Sequence, residues 1–201
     1  MRRRMANGLP LYGAAAVGLA VLRPLTILFI DQPVTLSWVH HQTLRPLFQA
    51  CAARSLLTLP GTGLILLWAL SRHLRGQPAL DWLWLALATP VATAAKDELK
   101  WMIGRPWPWS WLKYSLYSFH PFAQSIRYGS FPSGHTGYSA APLGVLWALR
   151  PRWRPLWAGL LLVMPGQVCA DYHFLSDVPA GLLTGGFCAW GTLALMEQHC
   201  G

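Results

Sequence analysis

Two histidines lie in sequence contexts that suit phosphoryl transfer. His135 follows Pro132-Ser133-Gly134, and His173 lies four residues before Asp177. A carboxylate that accepts one ring N–H of a histidine fixes the tautomer and leaves the other ring nitrogen as a nucleophile or base. At this spacing the two side chains share one face of a helix. The pattern therefore predicts a catalytic His173–Asp177 pair, and a structural pair that caps a helix is the alternative.

The segment around Ser133 and Gly134 predicts the first turn of a helix. The first backbone N–H groups of a helix have no intrahelical acceptor, and together with the helix dipole they bind anions such as phosphate. Gly134 has no side chain, so an anion can approach the main chain closely. His135 would then lie beside the phosphate as a proton donor. An ordinary helix cap with an incidental histidine is the alternative.

A third polar segment contains Lys96 and Lys100, which are four residues apart and share one face of the predicted helix. Cations at this spacing could hold phosphate oxygens. Lysines that flank an apolar helix also extend toward water at a membrane surface. This segment alone does not distinguish a functional site from flanking charge.

The composition indicates a membrane protein. Of the 201 residues, 54% are hydrophobic and 11% are charged, whereas about 25% are charged in an average soluble domain. The 12 tryptophans suit a membrane–water interface. The net charge of +9 arises from 16 Lys/Arg against 7 Asp/Glu. Because these basic residues form short clusters between apolar runs, they favour the flanks of membrane helices over a nucleic-acid surface.

Six apolar segments are candidates for membrane-spanning helices, which need about 20 mostly apolar residues each. They cover residues 9–30, 56–70, 80–95, 135–149, 155–169 and 178–195. The first segment is long enough to be a retained span rather than a cleaved signal peptide. Arg23 inside it would face the bundle interior or mark a kink. The predicted fold is an all-α integral membrane protein, a six-transmembrane-helix bundle in one domain over residues 1–201.

Basic clusters predict the orientation of this bundle. Residues 2–4, 72–75 and 150–154 contain the clusters, and all three fall on the same side of the six predicted helices. The positive-inside rule makes that side cytoplasmic, together with both termini. The three polar motif segments then lie on the outer face. Residues 32–55 are predicted to form an outer interfacial segment, and residues 104–131, rich in Pro, Trp and Tyr, an outer cap.

The four cysteines predict neither a disulfide nor a zinc site, because they show no C-x-x-C spacing and no histidine at metal-ligand spacing. We expect no metal and no cofactor in the reaction. The expected partners are a phosphate-bearing substrate and the bilayer, without nucleic acid. The oligomeric state is left open.

At these residues the sequence resembles the type 2 phosphatidic acid phosphatase superfamily of membrane lipid phosphatases. The three motifs of that family are K-x6-R-P, P-S-G-H and S-R-x5-H-x3-D. The second is intact at residues 132–135, and the H-x3-D half of the third is intact at His173 and Asp177. The resemblance covers nearly the whole chain and implies a membrane phosphatase that needs no metal.

The resemblance also implies roles for individual residues. His173 would attack phosphorus and form a phosphohistidine, Asp177 would orient His173, and His135 would protonate the leaving oxygen. Lys100 matches the lysine of the first motif, and Ser133 and Gly134 would help to hold the phosphate.

Two arginines of the family motifs are replaced in this chain. Counting from Lys100 places Trp107 at the arginine of the first motif, and counting back from His173 places Gln167 at the arginine of the third. Losing a bidentate arginine is not a conservative change. We therefore expect Arg105, two residues before Trp107, to act as a shifted phosphate ligand. Lys96, Lys113 or Arg127 could compensate for the other loss, and Arg127 is the first candidate because it lies six residues before Ser133.

The resemblance, together with the predicted orientation, thus implies dephosphorylation of a lipid phosphate or pyrophosphate at the outer leaflet of a bacterial inner membrane. Undecaprenyl pyrophosphate, phosphatidylglycerol phosphate, phosphatidic acid and lipid A phosphates are candidate substrates, and the sequence does not choose among them. One alternative is a phosphotransferase that passes the phosphoryl group to a second lipid. Another is a degenerate site that only binds a lipid phosphate.

Overall fold

A computed structural model describes residues 8–200, and these residues form nine α-helices. The helices are α1 (Gly8–Phe29), α2 (Asp31–Val39), α3 (Arg45–Ala53), α4 (Thr58–Leu74), α5 (Leu80–Ile103), α6 (Pro108–Tyr114), α7 (Gly134–Leu149), α8 (Trp157–Cys169) and α9 (Asp177–Cys200). Within residues 8–200 the β-type pairing consists of one isolated bridge between Pro106 and Tyr128. The all-α prediction is therefore confirmed for the described chain. The basic cluster at residues 2–4 lies outside it.

The six predicted segments coincide with α1, α4, α5, α7, α8 and α9. The largest difference is at the end of α5, which continues past residue 95 to Ile103 and ends at Gly104 in the left-handed conformation. The charged residues there are good helix formers, so charge does not end the helix. By length and hydropathy two helical stretches, Arg45–Leu74 and Asp177–Gln198, qualify as membrane spans among the described residues. Six crossings therefore stay a prediction.

The long helices alternate in direction, so the bundle has two distinct ends. At one end Arg150, which follows α7, pairs with Asp81 in the first turn of α5 at 2.9 Å. The short α4–α5 connection lies at the same end. At the other end the last turn of α5 meets the first turns of α7 and α9. All three predicted motif segments are at this second end, which we call the motif end.

Glycines bring α7 and α9 into close contact. A Cβ added to Gly181 would lie 2.4 Å from the Ser133 carbonyl oxygen, and one added to Gly185 would lie 2.3 Å from the Gly137 carbonyl oxygen. Small residues let helix backbones approach in this way. The Ser133 N–H donates to the Asp177 carbonyl at 3.0 Å. The first turns of α7 and α9, which contain His135 and Asp177, are therefore held side by side.

The predicted interfacial segment at residues 32–55 contains α2 and α3 and packs on the bundle. α3 lies against α8, where a Cβ added to Gly166 would be 2.8 Å from Cys51 Cβ and 2.9 Å from Ala52 N. Gly166 occupies the serine position of the third family motif. The close backbone of α3 explains why a residue without a side chain is present there.

Arg23 on α1 faces the bundle interior, which was one of the two expectations for it. Its guanidinium carbon lies 3.4 Å from the centroid of the Phe131 ring. The side chain borders a cavity of about 710 Å³ whose walls come mainly from α1, α5 and α9. A cation over an aromatic face is stabilised by the ring quadrupole, which offsets part of the cost of removing the charge from water.

Candidate active site at the motif end

His135 and His173 are in direct contact at the motif end. The distance between His135 Nδ1 and His173 Nε2 is 3.4 Å. His135 is the second residue of α7, whereas His173 lies in the turn between α8 and α9. The expectation that His173 and Asp177 share a helix face is therefore wrong, because α9 begins only at Asp177. The turn brings the two side chains together instead.

Asp177 lies on the opposite side of the His173 ring from His135. Its Oδ2 is 3.6 Å from His173 Nδ1, which is longer than a hydrogen bond and leaves an electrostatic interaction between the two groups. Asp177 Oδ2 also accepts hydrogen bonds from the Ser130 hydroxyl and from the Phe174 N–H at 3.1 Å. His173 Nε2 thus faces His135 while Nδ1 faces the carboxylate.

Arg105 lies behind this pair and is only 1% exposed. Its guanidinium bonds Asp177, and it reaches Asp31 at 2.6 Å and the Ser176 hydroxyl at 2.7 Å. Burial works to lower the pKa of Arg105, but Asp177 and Asp31 outweigh burial and raise it. The structure therefore places Arg105 in a buried carboxylate network, and not against the phosphate as the sequence interpretation expected.

Asp31 was missed by the sequence interpretation. It is fully buried and accepts hydrogen bonds from the backbone N–H of Ser176, at 3.0 Å, and from its hydroxyl. A signal was present, because Asp31 is the only acidic residue among the first 80 and directly follows an apolar run. A carboxylate at such a position needs a buried partner, and Arg105 is that partner.

Gln167, at the arginine position of the third motif, is buried beneath the start of α7. Its side-chain oxygen accepts from the Ser133 hydroxyl, and its amide donates to the Thr136 hydroxyl. The Gln167 carbonyl accepts from the His173 N–H at 3.2 Å. Gln167 thus connects the first turn of α7 to the turn that holds His173. The buried Ser133 hydroxyl faces Gln167, so Ser133 is placed to shape the helix start.

Trp107, at the arginine position of the first motif, lies over His173. The two ring centroids are 5.2 Å apart. The ammonium nitrogen of Lys100 lies 4.6 Å from the centroid of the Trp107 ring. Lys100 therefore reaches the site as predicted by its spacing. The Trp107 ring is thus close to both this cation and the buried imidazole.

The side chain of Lys96 packs against Gly134, the first residue of α7. Its Cδ lies 3.0 Å from the position that a Cβ on Gly134 would occupy. The Lys96 side chain is 14% exposed and pairs with Asp97. Lys96 and Lys100 thus extend from one face of α5 toward the helix start, in agreement with their spacing.

Arg127 does not join these cations. Its guanidinium carbon lies 4.5 Å from the centroid of the Tyr114 ring. Its carbonyl accepts hydrogen bonds from the Trp107 N–H at 3.2 Å and from the Ser110 hydroxyl at 2.9 Å. The structure places Arg127 as a support of the segment between α5 and α7, whereas the sequence interpretation placed it on the phosphate.

A cavity of about 540 Å³ opens beside His135. Aromatic side chains from the α5–α7 segment and from the turn before α9 form much of its wall, and Gln49, Ala53 and Leu56 line the side formed by α3 and the residues after it. The lining residues include Trp107, Trp109, Tyr128, His135, Asp171 and Tyr172. The Tyr172 ring is nearly parallel to that of His135, with 12° between the planes and 6.0 Å between centroids. The cavity is large enough for a polar headgroup in contact with His135.

His173 itself is 1% exposed. Burial lowers the pKa of its imidazole below the ordinary value, while Asp177 acts to raise it. The neutral ring is therefore favoured, and it leaves Nε2 able to act as a nucleophile when Nδ1 holds the proton.

Known relatives match both the sequence and the fold. A lipid A 1-phosphatase of Rhizobium etli is 34% identical over 130 residues, which cover 61% of this chain and 53% of that protein. A lipid A 1-phosphatase of Rhizobium johnstonii is 37% identical over 111 residues, which cover 51% of this chain and 42% of that protein. The chain thus spans about half of the length of these relatives.

The fold is shared with a solved structure described as the first transmembrane PAP2 type phosphatidylglycerolphosphate phosphatase from Bacillus subtilis. The two chains align with a TM-score of 0.66 and 18% identity over 94% of this chain and 96% of the other. In sequence, the family model of the PAP2 superfamily matches residues 81–199. The match contains α6, α7 and α8, all but the first residue of α5 and all but the last residue of α9, and with them both histidines and Asp177. The chain therefore belongs to the PAP2 superfamily.

Proposed function

We propose that the protein is a membrane phosphatase that hydrolyses a lipid phosphate through a phosphohistidine at His173. The observation that carries the proposal is the 3.4 Å approach of His135 Nδ1 to His173 Nε2, with Asp177 on the far side of His173. A nucleophile, a proton donor and an orienting carboxylate are thus aligned. The names of the two Rhizobium relatives support a lipid phosphate as substrate.

In the first step His173 Nε2 attacks the phosphorus of the substrate. An N–P bond forms, the P–O bond to the lipid breaks, and His135 gives its proton to the departing oxygen. Asp177 stabilises the positive charge that develops on the His173 ring. Because His135 occupies the space beside Nε2 in the free protein, the phosphate must separate the two rings when it binds.

In the second step water attacks the phosphorus of the phosphohistidine. His135 accepts the proton of that water, the N–P bond breaks, and inorganic phosphate leaves with both histidines restored. The hydroxyl of a second lipid in place of water would give the phosphotransferase reaction, so product analysis separates the two reactions.

The phosphate oxygens would be held by the start of α7 and by two lysines. The N–H groups of the first turn point toward the helix start, and Lys96 and Lys100 extend to the same place. This set lacks the planar, two-pronged arginine contacts of the family motifs. Binding of the phosphate should therefore depend strongly on the two lysines.

Replacing Lys100 with alanine is expected to lower kcat/KM for a lipid phosphate by about ten- to a hundredfold, since a charged hydrogen bond contributes about 1.5–3 kcal/mol. Lys113→Ala is the matched control, because Lys113 lies near the Tyr114 ring and away from the α7 start. Steady-state phosphate release measures both variants. Equal activity of Lys100→Ala and Lys113→Ala would remove Lys100 from the phosphate site.

The acid limb of the pH profile of kcat/KM should reflect the protonation of His173. Only the neutral ring attacks phosphorus, and burial lowers its pKa below the ordinary 6.5, so we expect the midpoint of this limb below pH 6.5. Asp177 raises that pKa, so Asp177→Asn should move the limb further toward acid while lowering the maximal rate. A limb above pH 6.5, or one that Asp177→Asn leaves in place, would contradict this assignment.

The membrane setting is supported by the surface of the bundle. Leu64, Leu67 and Leu161 are 69%, 67% and 64% exposed, and such an apolar surface suits lipid. The basic residues around Arg72 and Arg150 lie at the end opposite the motif end, and the positive-inside rule places that basic end in the cytoplasm. We therefore propose six crossings of a bacterial inner membrane, both termini in the cytoplasm, and a site facing the periplasm or exterior.

Phosphate release from a lipid panel tests the function. The detergent-purified protein is given lipid A, phosphatidylglycerol phosphate, phosphatidic acid and undecaprenyl pyrophosphate, each beside His173→Ala. We expect release that is absent in the variant, and greatest for lipid A. With phosphate-labelled donor lipid, label in a second lipid would identify a transferase. Binding without either product, by folded protein, would identify the degenerate site.

A further inference from the structure

The cavity beside His135 contains a carboxylate that the proposed chemistry does not use. Asp171 lines this cavity and lies two residues before His173. It is 6% exposed, and its Oδ1 is buried without a hydrogen-bond partner. Its Oδ2 is 4.0 Å from an Arg45 nitrogen. A buried oxygen of this kind costs about 1–3 kcal/mol when it lacks a donor.

The backbone holds Asp171 in an uncommon conformation. Its φ is +60°, a left-handed value that glycine adopts freely and that Asp and Asn tolerate better than other residues. Burial raises the pKa of the Asp171 carboxyl, and Arg45 acts in the opposite direction. A polar side chain is therefore kept at the cavity wall at an energetic cost, which suits a group that receives its partner from a ligand.

We propose that Asp171 is a specificity-determining residue whose Oδ1 accepts a hydrogen bond from an N–H or O–H group next to the phosphate ester of the lipid headgroup. The inference rests on the proposed function, because it assigns the headgroup that accompanies the phosphate at the same site. The donor is either the amide N–H of an acylated amino sugar or the hydroxyl of a glycerol headgroup. A headgroup without such a donor leaves Oδ1 unpaired.

Other residues of the wall agree with a headgroup larger than phosphate alone. Trp107, Trp109 and Tyr172 line the cavity around Asp171, and aromatic faces give a flat apolar surface against which a sugar or glycerol backbone can pack. Among the described residues that line the cavity, Asp171 is the one carboxylate. A site that rejects ligands without a donor commonly does so because its own polar group is left unpaired.

The test compares Asp171→Gly with Asp171→Asn. Glycine removes the carboxylate at a φ that it adopts without strain, and asparagine keeps an acceptor oxygen without the charge. The substrates are lipid A, which has an amide N–H, phosphatidylglycerol phosphate, which has a hydroxyl, and phosphatidic acid, which has neither next to its phosphate. Arg45→Ala serves as the control for the ion pair.

We expect Asp171→Gly to lower kcat/KM about tenfold or more for at least one donor-bearing lipid, and less than about twofold for phosphatidic acid. Asp171→Asn should retain most of the wild-type preference. A loss confined to lipid A identifies the amide as the donor, and one confined to phosphatidylglycerol phosphate identifies the hydroxyl. Equal losses on all three lipids, or the same change of preference in Arg45→Ala, would overturn the proposal.

A failure of the proposed function is distinguishable from a failure of this inference. Wild-type protein that releases no phosphate from any of the lipids contradicts the phosphatase. The preference is then measured as lipid affinity in the His173→Ala background, with and without Asp171→Gly. A preference for donor-bearing lipid that Asp171→Gly removes would support the inference, and an unchanged preference would overturn it.

Discussion

Replacing His173 with alanine is expected to lower kcat for phosphate release by about a thousandfold or more, because the variant has no atom that can form the N–P bond. Lipid affinity should change much less, since Lys96, Lys100 and the start of α7 are untouched. Single-turnover release of phosphate measures the chemical step, and equilibrium binding measures the affinity.

His135→Ala is the matched variant for this prediction, because the two rings are in contact and only their proposed roles differ. Loss of the proton donor should matter less for an aryl phosphate, whose leaving group needs little protonation, than for a lipid phosphate. Loss of the nucleophile should affect both substrates equally. Retention of activity by His173→Ala on either substrate would contradict the role of His173.

Replacing Arg105 with alanine is expected to destabilise the protein by about 3–5 kcal/mol, the range found when one partner of a buried ion pair is removed. Asp31 and Asp177 would both be left buried without their cation. Activity should fall as well, because Asp177 loses the contact that fixes its carboxylate beside His173. Thermal unfolding in detergent and phosphate release measure the two effects.

Two milder variants separate the parts of this network. Asp31→Asn keeps the Arg105–Asp177 contact, so we expect a smaller loss of stability and an active protein. Arg105→Lys keeps the charge but not the fork geometry that reaches two carboxylates at once, so its stability should lie between those of the wild type and Arg105→Ala. An Arg105→Ala protein as stable and as active as the wild type would remove Arg105 from the positioning of Asp177.

The helices and the candidate site residues could be located from the sequence because each depends on local pattern. The lengths of the apolar runs located the six long helices. Only the end of α5 was predicted too early, because the residues after 95 are charged. The motif spacing identified His135, His173 and Asp177, which the fold brings together. Only the local structure at His173 differed, because spacing does not show where α9 begins.

The roles of the arginines could not be predicted from spacing, because any nearby cation could replace another in a one-dimensional count. The role of Arg105 depends on its contact with Asp31, which lies 74 residues away in the chain. No motif surrounds Asp31 in the sequence. The position of Arg127 depends on the path of the α5–α7 segment, which places its guanidinium over the Tyr114 ring. Both assignments depend on tertiary contacts that a single sequence does not show.

The replaced arginine positions show what a sequence reveals and what it leaves out. Counting identified Trp107 and Gln167 as departures from the family motifs. Their new contacts appear only in the structure, where Gln167 bonds the α7 start and Trp107 lies over His173. Together they explain why we expect the two lysines to hold the phosphate.

Trapping of the covalent intermediate shows whether His173 forms a bond to the phosphorus of the substrate. The protein is mixed with lipid labelled in its phosphate, quenched in alkali, in which a phosphohistidine survives, and digested to locate the label. We predict label on the peptide that contains His173, absent from His173→Ala and retained longer in a variant that lacks His135. Phosphate release at the wild-type rate with no label on His173 would contradict the mechanism proposed for this protein.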